Sequence, residues 1–430
     1  MHTQDGSRRK FLKGAGITAG AAAMAAFMPR IHAAGDDTIR VALIGCGGRG
    51  TGAADQTLSV PNSKVELVAV CDAFENRIEG ALKELSKKHG DKVKVTADKK
   101  FVGLDGYLKA IECADLVILA TPPGFRPQHF DAAVNAGKNV FMEKPVCVDS
   151  FGARMVLAAA KKADAKNLKV VCGLQRHYQG VYREAFKRVQ EGLIGDIISG
   201  NIYWNGNGIW FRDRQDGMSE MKYQVHNWYH FNWLCGDHIC EQHVHNIDVA
   251  NWFLGGHPIS AEGMGGRTDM SRNSEIFDHH AVEFRYPNGV VINSQCRQIA
   301  GTKSDVREEF HGTKGILYLE SGHAVDYKGK TIWKNEVKGL NPYQVEHNEL
   351  HDFIRKDAKV NNAYYTCEST FAAVLGRTAT YSGVEQKWDD LLKANFHTFP
   401  DAPNFETATP TKPGANGRYA VPVPGQYKIS

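Results

Sequence analysis

The chain has 430 residues, 42% hydrophobic and 23% charged, which is enough for two globular domains with their own cores and excludes a disordered or fibrous chain. Its formal net charge is +4, and the first 34 residues alone carry five bases against one acid, so the remainder is near neutral and has no nucleic-acid footprint. Nine cysteines are scattered with no Cys-x-x-Cys pair, which argues against a disulfide framework.

The N-terminus reads as an address. Ser7-Arg8-Arg9-Lys10-Phe11-Leu12-Lys13 is a twin-arginine export pattern, followed by an uncharged Gly/Ala-rich run from Gly14 to Met28 and small residues at Ala33 and Ala34. The run is too short to span a bilayer as a stable helix. Residues 1–34 are therefore expected to be a signal peptide, and the mature protein to be periplasmic or extracytoplasmic with no stable membrane anchor. Export by this route follows folding, which suits a protein that loads a cofactor in the cytoplasm.

Residues 36–175 alternate strand and helix patterns in the manner of a parallel sheet. Ile39 to Ile44 is an apolar strand running into Gly45-Cys46-Gly47-Gly48-Arg49-Gly50, a G-x-G-x-x-G turn at a strand-to-helix junction. Such glycines let backbone N–H groups and a helix N-terminus meet a pyrophosphate. Val65 to Cys71 forms a second strand ending in Asp72, where a carboxylate can accept from both ribose hydroxyls and would repel a 2′-phosphate. The pattern favours NAD over NADP, although Arg49 and Arg77 lie nearby. Further strands run over Ala114 to Ala120, ending in Thr121-Pro122-Pro123, and over Asn139 to Met142, ending in Glu143-Lys144-Pro145. A lysine at the carboxyl end of a sheet strand faces the ligand crevice. Asp149 or Ser150 then caps a helix to Ala163, and Lys169 to Leu174 reads as the last strand.

Residues 176–396 change character. Tyr203-Trp204, Trp210-Phe211, Tyr223, Trp228-Tyr229 and Trp233 crowd a short stretch interleaved with Asn205, Asn207, Arg212, Asp213, Arg214 and His226. Rings give C–H-rich sugar faces a stacking surface and the polar groups satisfy hydroxyls, although a buried cluster or a subunit contact has the same composition. His280 to Gln298 and Val306 to Glu320 each read as a strand pair around a glycine turn, implying a mostly antiparallel sheet. Glu346 to Lys356 and Ser369 to Gln386 are helical. Residues 397–430 form an extended tail that wraps a neighbour or the domain surface.

The run from Gly236 to Gly256 reads as one helix, capped by Asp237 and ended by the glycine pair. Helical spacing puts Ile239, Ile247, Ala250 and Leu254 on one side and His238, Glu241, His245, Asp248 and Trp252 on the other. Imidazoles and carboxylates on that second face can do acid/base work near neutral pH. A metal cluster of His238, Glu241, His243 and His245 is disfavoured, because His243 projects to the apolar side and ligands must converge on one point.

Gly45 to Gly50, Asp72, Thr121-Pro122-Pro123, Glu143-Lys144-Pro145, Gly173-Leu174-Gln175-Arg176, and Glu241 and His245 with Asp248, in this order, resemble the Gfo/Idh/MocA oxidoreductases over roughly residues 38 to 390. The resemblance implies an α/β chain with an N-terminal Rossmann dinucleotide-binding domain and a C-terminal α+β domain with a large, mostly antiparallel sheet that supports homo-oligomerisation. It implies a firmly held NAD contacted by Gly45, Gly47, Gly48, Arg49, Gly50, Asp72, Arg77, Thr121, Pro122, Glu143 and Lys144. Lys144, His245 and Glu241 become the catalytic set: Lys144 polarises the reacting oxygen, His245 exchanges the proton and Glu241 sets the ring, with binding of a sugar hydroxyl by its longer carboxylate left open. Arg176, Trp210, Trp228, Tyr229, His238, Glu241 and His245 are the candidate substrate contacts. Glu241 stands where many members have Asp, and His243 where Gly is usual. The reading is hydride transfer from a sugar or glycoside hydroxyl. Its rivals are an NAD-dependent glycosidase or lyase using transient oxidation, and a sugar-binding protein with a relic nucleotide site.

Overall fold

The computed structural model describes residues 37–429, so the export signal lies outside the described residues. Two sheets organise the chain. The first is built from β1 (Ile39–Ile44), β2 (Val65–Asp72), β3 (Lys100–Val102), β4 (Leu116–Leu119), β5 (Asn139–Met142) and β6 (Val170–Cys172), parallel throughout in the order β3-β2-β1-β4-β5-β6. Leu43, Ile44, Val117, Ile118, Phe141 and Val171 are fully buried, as strands covered by helices on both faces require. The order reverses between β1 and β4, and a crevice opens beyond the carboxyl ends of strands at such a point. Helix α1 (Gly48–Leu58) leaves β1 there.

The second sheet contains β7 (Ile197–Gly206), β8 (Ser260–Gly266), β9 (His279–Arg285), β10 (Val291–Gln298), β11 (Asp305–Gly312), β12 (Gly315–Tyr318), β13 (His323–Asp326), β14 (Thr331–Lys334) and β15 (Gln386–Lys387), in the order β14-β13-β12-β11-β7-β10-β9-β8-β15. Only the β7/β10 pair is parallel within it. Period-two alternation decides its faces: His280, Val282 and Phe284 point into the core, while Ala281 and Glu283 are exposed.

The stretch expected to be one helix is broken. The chain makes α2 (His238–Glu241) and α3 (Val244–Leu254), joined through Gln242 and His243. At the break His243 N–H reaches back to His238 O, and His245 N–H meets only Gln242 O at 3.4 Å. The ring of His243 explains the step: it is buried in the core, its Nε2 2.7 Å from Ser294 Oγ on β10. The expected ends hold, with Asp237 accepting from His238 N–H and Gly255 in the left-handed conformation.

Two helices close the arrangement. The first, α4 (Pro342–Arg355), packs on α1, and α5 (Ala363–Ser382) lies against β8, β9 and α3. The tail is fastened to its own chain: Thr398 donates through N–H and Oγ to Asp149 Oδ2 at 2.6 and 2.8 Å, and Ser219 Oγ donates to Phe405 O at 2.9 Å. All nine cysteines are free thiols.

Burial neutralises many of the histidines. It pushes His129 and His243 down to about 3, His230 and His351 to about 4, and His245 and His347 well below the ordinary value. Unfolded, these rings titrate near pH ~6.5, so below that pH the unfolded chain binds protons that the folded chain refuses, at about 1.4 kcal/mol per pH unit per ring. Burial raises Asp72, Glu275, Glu308, Glu346 and Glu368, Glu275 to about 7, and these oppose the trend, but they are fewer than the depressed imidazoles. The melting temperature should therefore be lower at pH ~5.5 than at pH ~7.5, and a scanning-calorimetry profile that rises toward acid would contradict this.

Candidate active site

The crevice at the β1/β4 reversal is a cavity of about 310 Å³. Its floor is the glycine turn, and its walls include Asp72, Phe74, Arg77, Thr121 and Pro122. Two of the glycines are obligatory. Gly45 has φ +97°, and a Cβ there would lie 2.5 Å from Ala120 C; a Cβ on Gly50 would lie 1.8 Å from Gly45 O. Gly47 and Gly48 face open space, and no side chain caps the start of α1, so its first N–H groups are left for a ligand. Asp72 holds the edge: Oδ2 accepts from Cys46 N–H at 2.7 Å and Oδ1 from Phe74 N–H at 3.0 Å. Burial raises its carboxyl, against the pull of those N–H groups and of Arg77. The donor set and the Cβ-free cradle fit a dinucleotide pyrophosphate with its ribose beside Asp72.

Lys144, Glu241 and His245 are brought to one place. Lys144 lies two residues beyond the end of β5 and precedes a cis bond to Pro145, and its Nζ donates to the Glu241 backbone carbonyl and, at 3.2 Å, to Glu241 Oε1. His245 lies at the start of α3, buried, with its ring stacked on Trp204 at 5.6 Å. Burial first, then the charges of Lys144 and Arg176, hold this imidazole well below its usual value, so it is neutral and able to accept a proton. These three residues lie outside the lining of the cavity.

Several expected roles need correction. Glu241 does not set the His245 ring; the broken helix aims its carboxylate at Lys144. Glu143, expected on the cofactor, pairs with Arg49 Nε at 2.8 Å and leans over Gly173. Arg176 is buried against Glu308, which it meets through Nη1 and whose other partners are Tyr182 Oη at 3.0 Å and Asn246 Nδ2 at 2.7 Å, so it is held in the second domain's core and does not line the cavity. His238 is fully buried beside Asp237 and His280, away from the cavity. Asp248 accepts from Ser369 Oγ at 2.9 Å and lies 2.9 Å from His177 Nε2, which makes it a packing anchor.

Trp210 and Trp228 line the cavity opposite the glycine turn, with Arg212 stacked 4.1 Å from the Trp210 ring. Tyr229 is buried behind Trp228, and burial followed by the nearby Glu241 pushes its hydroxyl well above the ordinary value. Sequence reasoning missed Phe74, Leu104, Tyr107 and His129 on the walls. The Tyr107 and His129 rings stack at 4.0 Å, and His129 Nδ1 lies 3.1 Å from Thr121 Oγ. They come from loops and helices whose approach to β4 no local pattern announces; only Phe74, two residues after Asp72, had a positional cue.

A family model for the NAD-binding Rossmann fold of an oxidoreductase family matches residues 39–170, and a model for the GFO/IDH/MocA C-terminal domain matches residues 182–318. The scyllo-inositol 2-dehydrogenase (NAD(+)) of Bacillus subtilis (strain 168) is 25% identical over 289 residues, covering 65% of this chain and 73% of that protein. The solved structure of scyllo-inositol dehydrogenase from Lactobacillus casei with bound NAD(H) and scyllo-inositol matches with a TM-score of 0.63 at 20% identity, over 82% of this chain and 99% of that one. Aldose-aldose oxidoreductase from Caulobacter crescentus matches with a TM-score of 0.65 at 17% identity, over 81% and 99%.

Lys144 helps to depress the His245 titration. Lys144→Met should therefore move that titration to higher pH, read by NMR of the labelled histidine ring. An unmoved titration would mean the two groups do not sense each other.

Proposed function

The chain belongs to the Gfo/Idh/MocA oxidoreductases, and on that premise we propose that it is an NAD-dependent enzyme that oxidises a hydroxyl-bearing carbon of a sugar or cyclic polyol to a carbonyl. The observation that carries this reading is the meeting of Lys144, Glu241 and neutral His245 where the parallel sheet abuts the second sheet's helices. NAD, when bound, supplies the two-electron acceptor. The residues suited to hold it are the glycine turn, Asp72, Arg77, Thr121 and Pro122.

The remaining work falls to this chain's own groups. Lys144 Nζ donates a hydrogen bond to the substrate oxygen, exchanging part of its contact with Glu241 and stabilising the negative charge that grows there. Neutral His245 takes the hydroxyl proton. Glu241 accepts from Lys144 and from a neighbouring substrate hydroxyl. The Trp228 and Trp210 rings line the cavity with Arg212, apolar faces beside a polar group, the pairing a carbohydrate ring needs. His245 and Tyr229 are themselves buried.

The same reading extends to retention, location and assembly. Cofactor walls drawn from both halves of the chain favour slow release of NAD. Arg8-Arg9 and the segment after them support export by the twin-arginine route, testable by N-terminal sequencing of protein from the extracytoplasmic fraction. The uncovered face of the second sheet, with Met264, Ala281 and Glu283 exposed, supports a homo-oligomer.

His245→Ala should keep NAD affinity and lower turnover by about 10² to 10⁴-fold, the usual share of a positioned general base. Steady-state kinetics on a panel of polyols and glycosides, with NAD binding measured by titration, checks this; unchanged turnover removes the mechanism.

A further inference from the structure

The corrected position of His238 leaves a buried imidazole without an evident task. Neither Nδ1 nor Nε2 has a hydrogen-bond partner, and the side chain is fully buried. Beside it are two more buried groups, Asp237 and His280. His238 Nε2 is 3.8 Å from Asp237 Oδ1, His280 Nε2 is 3.3 Å from Asp237 Oδ2, and one ligand atom from each residue lies within 4.8 Å of the others.

The hydrogen-bond pattern places one proton on His280. Thr380 Oγ donates to Arg377 O at 2.8 Å, so at its 2.9 Å contact with His280 Nδ1 it accepts, and Nδ1 carries the proton. His280 Nε2 faces Asp237 Oδ2 at 3.3 Å and has no hydrogen-bond partner of its own. A cation in that gap, a proton or a metal ion, satisfies both groups, and the unpartnered ring nitrogens of buried His238 beside it offer a metal ion a third ligand. Asp237 itself has φ +72°, a conformation that a non-glycine residue keeps only when its surroundings impose it. Its carboxylate is held by His238 N–H, by Phe277 N–H at 3.0 Å and by Tyr381 Oη at 2.5 Å.

We propose that Asp237, His238 and His280 bind a divalent transition-metal cation, zinc foremost. Two imidazoles and a carboxylate are ligands that zinc takes, and tetrahedral bonds of about 2.0–2.1 Å place ligand atoms roughly 3.3 Å apart; the His280–Asp237 contact has that spacing, and the His238–Asp237 contact, at 3.8 Å, has to close on the ion. The Thr380 contact on His280 Nδ1 and the two donors on Asp237 Oδ2 are the outer hydrogen bonds that orient ligating groups. None of the three residues lines the cavity, so the cation sits apart from the dinucleotide crevice and ties the start of α2 to β9, with a non-protein ligand completing its coordination. The inference does not depend on the redox reading, because metal content is measured without turnover.

Full-length protein produced in zinc-supplemented medium and dialysed should contain about one zinc per chain by elemental analysis, and a cobalt(II)-substituted sample should show visible ligand-field absorption. His238→Ala and His280→Gln should each lower the metal content at least tenfold. Should those variants fail to fold, the wild type decides alone: a chelator should lower its melting temperature and zinc restore it. Metal-free wild-type protein whose melting temperature ignores both chelator and zinc would overturn the proposal and assign the gap to a proton, as an imidazolium–carboxylate pair.

Discussion

The contact of Lys144 Nζ with Glu241 is the point at which the two halves of this molecule become one site. Lys144 is delivered by the end of β5 and Glu241 by the last residue of α2, and the two side chains are only 12% and 13% exposed. At 3.2 Å and an effective dielectric of ~20 the gross attraction is about 5 kcal/mol, much of it offset by stripping water from both ions. The pair is thus a weak lock but a strong guide. A substrate oxygen that takes over one of the lysine's hydrogen bonds loses little, whereas an apolar group in its place leaves a poorly solvated ammonium unpaired. Selection for a hydroxyl-bearing ligand is built into this competition.

The charges around His245 follow the same logic. Two cations depress its basicity after burial, yet each has its own carboxylate: Arg176 has Glu308 and Lys144 has Glu241. The ring is left neutral in a place where bulk water is scarce. Such a base is weak in isolation. Its proton-accepting power grows when negative charge develops on the oxygen beside it, which is when the reaction needs it.

Parts of this were legible in the residues and parts were not. The parallel sheet declared itself because its strands are buried on both faces and therefore read as unbroken apolar runs, with Gly45, Gly50 and Asp72 at the positions where backbone and ribose must be met. The β9/β10 pair was equally clear from its alternation and the Pro287-Asn288-Gly289 turn. What escaped was anything decided by long-range packing. Helical spacing linked Glu241 to His245, but the His243 ring, drawn to Ser294, interrupts the ladder between them. Arg176 looked like a ligand contact because nothing local reveals Glu308, which arrives on β11 more than a hundred residues later. His238 was placed on the reactive face by the same spacing, and the positive φ of Asp237 before it turned it inward.

That inward turn links the buried cluster to the chemistry. The four residues of α2 run from His238, at the cluster, to Glu241, at the lysine, so the whole element is too short to absorb a shift at one end without passing it to the other. Asp237 is bonded to the chain just ahead of β9 through Phe277 N–H and to α5 through Tyr381, two elements packed against each other in the second half of the chain. Anchoring the residue that caps a single helical turn to both of them fixes the direction in which the carboxylate of its last residue points. The position of Lys144, and with it the field felt by His245, is therefore determined as much by the second sheet and α5 as by the strand that carries the lysine.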